Sequence, residues 1–281
     1  MAFETFGPPV PLSPVLISVP HAGRDYPPEV ATMARLDIAT LRPLEDRYAD
    51  HLVQAAINAG CNAIIAKTAR AWIDLNRNER EYDPILVHGA ASAPLASAKV
   101  RGGLGIIPKR IAGRGDIWRG AISGVAFEAR LAVHHRPYHR ALSEMIEATL
   151  AAYGTVFLLD VHSMPPLPKG DDGPAPQIII GDLFGRSAAP RYSHAIASVA
   201  ARSGVRVAMN TPYAGGHILE RHSNPPRGVH AFQIEIDRTL YLDAAGDQPS
   251  EGLVKMQRLI AGIAAVLEYE SRALTLPLAA E

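Results

Sequence analysis

Residues 155–166, Thr-Val-Phe-Leu-Leu-Asp-Val-His-Ser-Met-Pro-Pro, restrict the fold of this chain more than any other stretch. From Val156 to Val161 the side chains are apolar except at Asp160, with Gly154 before the run and Pro165-Pro166 after it. A short apolar run bounded in this way reads as a strand buried on both faces, which belongs in a parallel or mixed sheet. His162 and Ser163 then fall at the carboxyl end of the strand, where open α/β sheets bind their ligands. Pro14-Val15-Leu16-Ile17-Ser18-Val19-Pro20 repeats the pattern, and His21 follows directly. Two strand-end histidines, distant in sequence but able to meet along one sheet edge, make two of the three protein ligands of a metal site.

Strands and helices alternate along the rest of the chain. Residues 44–59 carry apolar side chains at helical spacing, with Gly60 placed to end the helix and Glu45-Asp46 to open it. Asn62 to Lys67 reads as a buried strand. Trp72 and Ile73, set among polar residues, point to strand alternation. Residues 81–120, rich in Gly, Ala and Pro, read as an excursion over the active face with a short strand at Gly105 to Ile107. A helical pattern covers about 122–153, broken or kinked at Pro137. The stretch 164–176 is a loop, and Gln177 to Ile180 a strand. Residues 188–203 form a helix, Val205 to Met209 a strand, 211–230 a long loop, Ala231 to Ile236 an alternating strand, and 250–274 a closing helix. The expected fold is α/β, a three-layer sandwich around a mostly parallel or mixed central sheet.

Composition excludes several function classes. Lys+Arg and Asp+Glu balance at 28 each, so no strong field points to nucleic acid or to a membrane surface. One cysteine, Cys61, rules out an intramolecular disulfide framework and suits a reducing compartment. No basic-then-apolar leader opens the chain, and its apolar stretches stay short of a bilayer span. With 48% apolar residues and no dividing linker, residues 1–281 are expected to form one soluble, cytoplasmic domain. Nothing in the sequence marks an oligomeric state.

A zinc hydrolase needs three ligands, an open position and a carboxylate to manage protons. His21 and His162 are the first two ligand candidates; Glu45, Asp46 and Asp25 compete to be the third, against capping or turn roles. Asn76-Arg77 pairs an amide with a planar guanidinium fork suited to a substrate carboxylate, and Arg70 adds a second positive charge. The plainer alternative for these residues is a surface ion-pair network around Asp74. Glu235 sits between Ile234 and Ile236; with Gln233 and Asp237 on its face it would look onto water or a cleft. A carboxylate in a partly apolar setting can have its pKa raised to suit a general base. Gly215-Gly216 permits close backbone approach to a ligand, making His217 and Arg221 on the same loop substrate-binding candidates. His134, His135 and His139 read as the polar face of a helix.

The blocks SVPHAG (18–23), EDRYADHL (45–52), IDLNRNE (73–79), HHRPYHRAL (134–142), LLDVHS (158–163), GGHILERH and GVHAFQIEI (within 215–236) together resemble the N-formylglutamate amidohydrolase family. The resemblance runs through nearly the whole chain. That family is distantly similar to zinc carboxypeptidases and aspartoacylase and shares their phosphorylase/hydrolase-like fold. The resemblance implies one zinc ion on His21 and His162, Glu235 as general base, Asn76 and Arg77 gripping the substrate α-carboxylate, and Arg70 polarising the scissile carbonyl. The wider superfamily usually places an acid three residues after the first histidine; Arg24 stands there, so the acidic ligand comes from elsewhere. Asp46 is preferred, with Glu45 its rival and Asp25 third. The implied reaction is hydrolysis of N-formyl-L-glutamate, or of a related small N-acyl amino acid, to formate and the free amino acid. The competing readings are another zinc deacylase or carboxypeptidase-like hydrolase, and a non-catalytic binder of acidic amino acids.

Overall fold

The computed structural model describes residues 2–169 and 173–275; part of the expected 164–176 loop lies outside the described residues. The chain divides into two compact units. One comprises Met1–Glu4, Pro20–Arg47 and Ile64–Leu142, the other Thr5–Val19, Tyr48–Ala63 and Ser143–Glu281.

The second unit holds the larger part of the seven-stranded sheet. Its strands are β1 (Phe3–Phe6), β2 (Val15–Val19), β3 (Asn62–Ala66), β4 (Val156–Met164), β5 (Ile178–Gly181), β6 (Val207–Met209) and β7 (Val229–Asp237). They lie in the order β1-β3-β2-β4-β7-β5-β6. β2 and β7 both run parallel to β4, and β6 runs parallel to β5, whereas β5 is antiparallel to β7. This is a mixed α/β fold with a mostly parallel central sheet. All nine residues of β4 and all nine of β7 are buried, as central strands are in a sheet covered on both faces, although β7 alternates apolar and polar side chains. The helices Pro190–Arg202 and Gly252–Thr275 pack on each other; the first also meets β5 and the second β2.

Two strands differ from their expected form. β4 continues through His162 and Ser163 to Met164, so His162 sits inside the strand near its carboxyl end and not beyond it. β7 is buried on both faces, so Glu235 does not face water. The alternation of polar residues there marks a polar face inside the protein, since Gln233, Glu235 and Asp237 are all buried.

Residues 42–58, which run from the first unit into the second, are built from short elements. The helix expected over 44–59 is broken into a tight turn at Arg42–Leu44 and two short helices, Ala49–Leu52 and Gln54–Asn58. Tyr48 adopts a left-handed conformation (φ 60°), which interrupts helical geometry and leaves Glu45 and Asp46 ahead of the helices in buried, irregular chain. Gly60 is left-handed (φ 107°), consistent with its expected role in ending this segment. No strand forms at 105–107. The backbone of Ile106 is instead used by Asp74, whose N–H donates to its carbonyl at 2.7 Å, and by the Glu81 carbonyl, which accepts from its N–H at 2.7 Å. Residues 72–74 are likewise not a strand.

The helix over 124–153 is continuous. It runs as α-helix Gly124–Arg130, π-helix Leu131–His135 and α-helix Arg136–Tyr153. Ser123 caps its start by accepting from the Ala126 N–H, and Gly154 (φ 70°) ends it. Pro137 has no N–H to donate, and in an α-helix its ring would press on a carbonyl of the preceding turn. The wide turn just before it, closed by the Arg136 N–H on the Leu131 carbonyl, absorbs that conflict without a break.

Candidate active site

In the sheet-bearing unit, register alone lines up a polar row. Ser18 on β2 is the register partner of Asp160 on β4, and Gln233 and Glu235 on β7 are the partners of Asp160 and His162. Register partners share a face of the sheet, and residues two apart on one strand do the same. Ser18, Asp160, His162, Gln233 and Glu235 therefore occupy one face near the carboxyl ends of three parallel strands. The Ser18 hydroxyl donates to Asp160 Oδ1 at 2.8 Å, and His162 Nε2 lies 2.8 Å from Asp160 Oδ2. Gln233 Nε2 donates to Glu235 Oε1 at 2.8 Å. Asp160 is fully buried (0% exposed), so these partners are what make a carboxylate tenable there.

The other unit has a matching device. Asp74 is also 0% exposed, and its carboxylate faces His21 Nε2 at 2.7 Å, Arg70 Nε at 2.8 Å and the Asn76 backbone N–H at 2.8 Å. Arg77 Nη2 lies 3.8 Å away. Burial pushes the Asp74 carboxyl up, but Arg70, Arg77 and His21 together outweigh it and hold it well below the usual carboxylate range. The ion network around Asp74, which the plainer alternative placed at the surface, is thus a buried one.

His21 and His162 share one chemical arrangement. An ionised carboxylate only accepts hydrogen bonds, so the Nε2 that meets Asp74 or Asp160 carries the proton. In the neutral ring Nδ1 then carries the lone pair, as in the carboxylate–histidine pairs that orient metal ligands. His21 Nδ1 stands 3.4 Å from Asp46 Oδ2, and both residues are buried. The contact is an ion pair when the ring is protonated, and with the ring neutral it presents two donor atoms to a cation lying between them. With ligand distances of about 2.0–2.2 Å and tetrahedral angles, two zinc ligands stand roughly 3.3–3.6 Å apart. The donor set and its spacing therefore fit a tetrahedral divalent ion. Asp46 is held in place by its N–H, which donates to the His21 carbonyl at 2.9 Å. Its rival Glu45 is engaged elsewhere, accepting from Tyr26 Oη at 2.6 Å and Arg47 Nη1 at 3.0 Å. Asp25 is exposed; its backbone N–H and carbonyl pair with Lys67 and Ala69.

Asn76 and Arg77 are buried. The Arg77 guanidinium donates to the Leu104 carbonyl at 3.0 Å and the Asn76 carbonyl at 2.6 Å. The helix over 124–153 holds this segment from behind. His139 Nε2 lies 3.0 Å from the Leu75 carbonyl, His135 Nε2 2.8 Å from the Arg77 carbonyl, and Arg130 Nη1 donates to the Trp72 carbonyl at 3.0 Å. His135 and His139 are completely buried, so they do not form the polar helix face expected of them. They fix the backbone of the Asn76-Arg77 segment. The signal for them was present in the HHRPYH block, but no periodicity argument assigns a backbone carbonyl as partner.

His217 is buried in the first turn of the helix His217–His222, inside what was expected to be loop, and Arg221 on that helix is exposed. Asp160, visible in the sequence as the one polar break in its strand, is the missed member of the site.

The chain as a whole has counterparts among known proteins. The N-formylglutamate amidohydrolase family model matches residues 13–242. The chain is 28% identical over 234 residues to an N-formylglutamate deformylase of Pseudomonas aeruginosa, covering 82% of each protein. It is 26% identical over 232 residues to that of Pseudomonas putida, again covering 82% of each. The solved structure of an N-formylglutamate amidohydrolase from Ralstonia eutropha JMP134 matches with a TM-score of 0.90 at 26% identity, over 98% of this chain and 99% of that one. A protein of Agrobacterium tumefaciens shares the fold at a TM-score of 0.72 and 19% identity, over 96% of each chain. With the family model spanning from Ser13 to Leu242, the chain belongs to the N-formylglutamate amidohydrolase family.

Proposed function

We propose that this protein hydrolyses N-formyl-L-glutamate to formate and glutamate, using one zinc ion held by His21, Asp46 and His162. The observation that carries the metal reading is the 3.4 Å approach of His21 Nδ1 to Asp46 Oδ2, with Nε2 of the same ring committed to Asp74. His162 is taken as the third ligand because its Nε2, like that of His21, meets a buried carboxylate, Asp160 at 2.8 Å, which leaves Nδ1 as its donor atom. When bound, the ion supplies Lewis acidity toward a carbonyl oxygen and a nucleophilic water.

The remaining roles belong to the chain itself. Asn76 and Arg77 hold the substrate α-carboxylate, so the amide is presented in one orientation and the entropy of alignment is met at binding. Arg70, anchored through Nε on Asp74, stabilises the charge that develops on the carbonyl oxygen. Glu235 takes the proton of the attacking water and delivers it to the departing amine nitrogen. The Gln233 amide, donating to Oε1, orients the carboxylate for that transfer. His217 and Arg221 complete the substrate contacts.

The test is release of formate and amine from N-formyl and N-acetyl amino acids by protein of measured zinc content. Wild type should turn over N-formyl-L-glutamate in proportion to its zinc. Glu235→Gln, loaded to the same zinc content, should lose about 10²–10⁴ in kcat with little change in KM. Absence of formate release by zinc-loaded wild type would refute the reaction, and near-normal kcat in Glu235→Gln would remove that residue as proton carrier.

A further inference from the structure

The unit that carries His21 and Asp46 has a second polar feature, which the reading above does not use. An open cleft of about 530 Å³ is lined by Arg24, Asp25, Tyr26, Ile38, Arg42 and Arg47. Three guanidinium groups line it against one carboxylate, Asp25. Glu45, buried behind it, accepts from Tyr26 Oη and Arg47 Nη1, so even counting both acids the positive charges are in excess. The Tyr26 phenol is pushed up first by burial and then by its hydrogen bond to Glu45, which keeps it a neutral donor committed to that acid. Arg42 is exposed, Arg24 and Arg47 are half-buried, and Ile38, 44% exposed, contributes an apolar wall.

The position of the cleft gives this charge a use. Arg24 lies three residues after His21, and Arg47 directly follows Asp46. The two segments are tied together by the hydrogen bond from the Asp46 N–H to the His21 carbonyl. The arginine-lined cleft is therefore built largely from the same two segments that carry His21 and Asp46. Guanidinium groups beside an apolar wall match a carboxylate carried on a short methylene stem, since the stem covers the isoleucine while the head meets the charges.

We infer that the Arg24–Arg42–Arg47 cleft binds the second carboxylate of a dicarboxylic substrate and so selects acidic over neutral N-acyl amino acids. The inference rests on the proposed function for its substrate, because Asn76 and Arg77 there take the α-carboxylate and leave the side-chain carboxylate to be read elsewhere. Arg42 is the main selectivity residue, as an exposed cation that can meet the anion without first leaving the interior. Arg24 and Arg47 shape the field around it.

The experiment compares kcat/KM for N-formyl-L-glutamate and for its neutral isostere N-formyl-L-glutamine, in wild type, Arg42→Ala and Arg24→Gln, all zinc-loaded. The ratio of the two constants should favour glutamate in wild type and fall by about 10- to 100-fold in each variant, the loss expected for a charge-assisted contact. Arg42→Lys should recover part of the ratio. An unchanged ratio in both Arg42→Ala and Arg24→Gln overturns the inference. A second arm keeps the outcome separate from that of the reaction itself. Glutarate and butyrate are titrated calorimetrically into wild type and Arg42→Ala at low and high KCl. Tighter binding of glutarate that is weakened by Arg42→Ala and by salt supports the cleft even if no formyl substrate is turned over. Equal binding of the two acids overturns it even if N-formyl-L-glutamate is a substrate.

Discussion

Asp74→Asn isolates the buried network that holds His21, the proposed metal ligand, and Arg77 of the proposed substrate clamp. The aspartate carboxylate meets three donors at 2.7–2.8 Å, from His21, Arg70 and the Asn76 backbone, with Arg77 Nη2 at 3.8 Å. Asparagine has the same shape but one acceptor oxygen, and its amide NH2 would face donors. At least one charge-assisted hydrogen bond is lost outright, each worth about 1.5–3 kcal/mol, and the cationic partners lose their counter-ion. Arg70 keeps some contact with water and recovers part of its solvation, whereas Arg77 is buried. Breaking a buried ion pair by removing one charge costs about 3–5 kcal/mol, and that is the expected loss of stability. It is a large share of the roughly 5–15 kcal/mol that holds a typical domain together. Urea unfolding of the metal-free protein at pH 7 measures it. In the same variant zinc affinity should fall by about 10- to 100-fold, because His21 is no longer held in the required tautomer. A stability loss below about 1 kcal/mol together with unchanged zinc affinity would show that Asp74 neither supports the fold nor orients His21.

Two further predictions test other parts of the structure. A Cβ added at Gly23 would lie 2.1 Å from the Thr68 carbonyl oxygen, a backbone atom, so Gly23→Ala should displace the loop after His21. The expected cost is about 1–3 kcal/mol, with zinc affinity reduced; unchanged unfolding midpoint and zinc affinity would refute the close approach. The buried His230 ring accepts from the Ala189 N–H, packs on Phe157 and Tyr192, and has its pKa pushed down to about 4 by burial and then by Arg191. Its contribution is complete above the unfolded value of about 6.5 and is lost as pH falls toward 4, because the unfolded chain takes up the proton first. The stability difference between wild type and His230→Gln, read from urea midpoints, should shrink between pH 7 and pH 4.5; parallel profiles would refute a depressed pKa.

What the sequence determined by itself was the local part of the design. Mainly apolar runs at 15–19, 62–66 and 156–161, each with a single polar residue, read as buried strands, and a histidine near the end of two of them follows from reading along the chain. Gly154 and Gly60 end helical segments for reasons contained in their own backbone freedom. Tertiary structure decided everything that depends on a partner remote in sequence. Asp160 reads only as a break in a strand until Ser18 is in register with it, and the solvent-facing look of Glu235 gives way to a buried carboxylate that accepts from Gln233. Periodicity describes which faces an element has, not what covers them. For that reason it placed His135 and His139 on a polar helix face, although their rings end on the carbonyls of Arg77 and Leu75. Likewise, Glu45-Asp46 fits a helix start in sequence, and only the left-handed Tyr48 and the bond from Asp46 to the His21 carbonyl take these acids off the helix. A local pattern carries the cost of exposing an apolar side chain, but the pairing of a buried charge is set by whichever donor the folded chain brings to it.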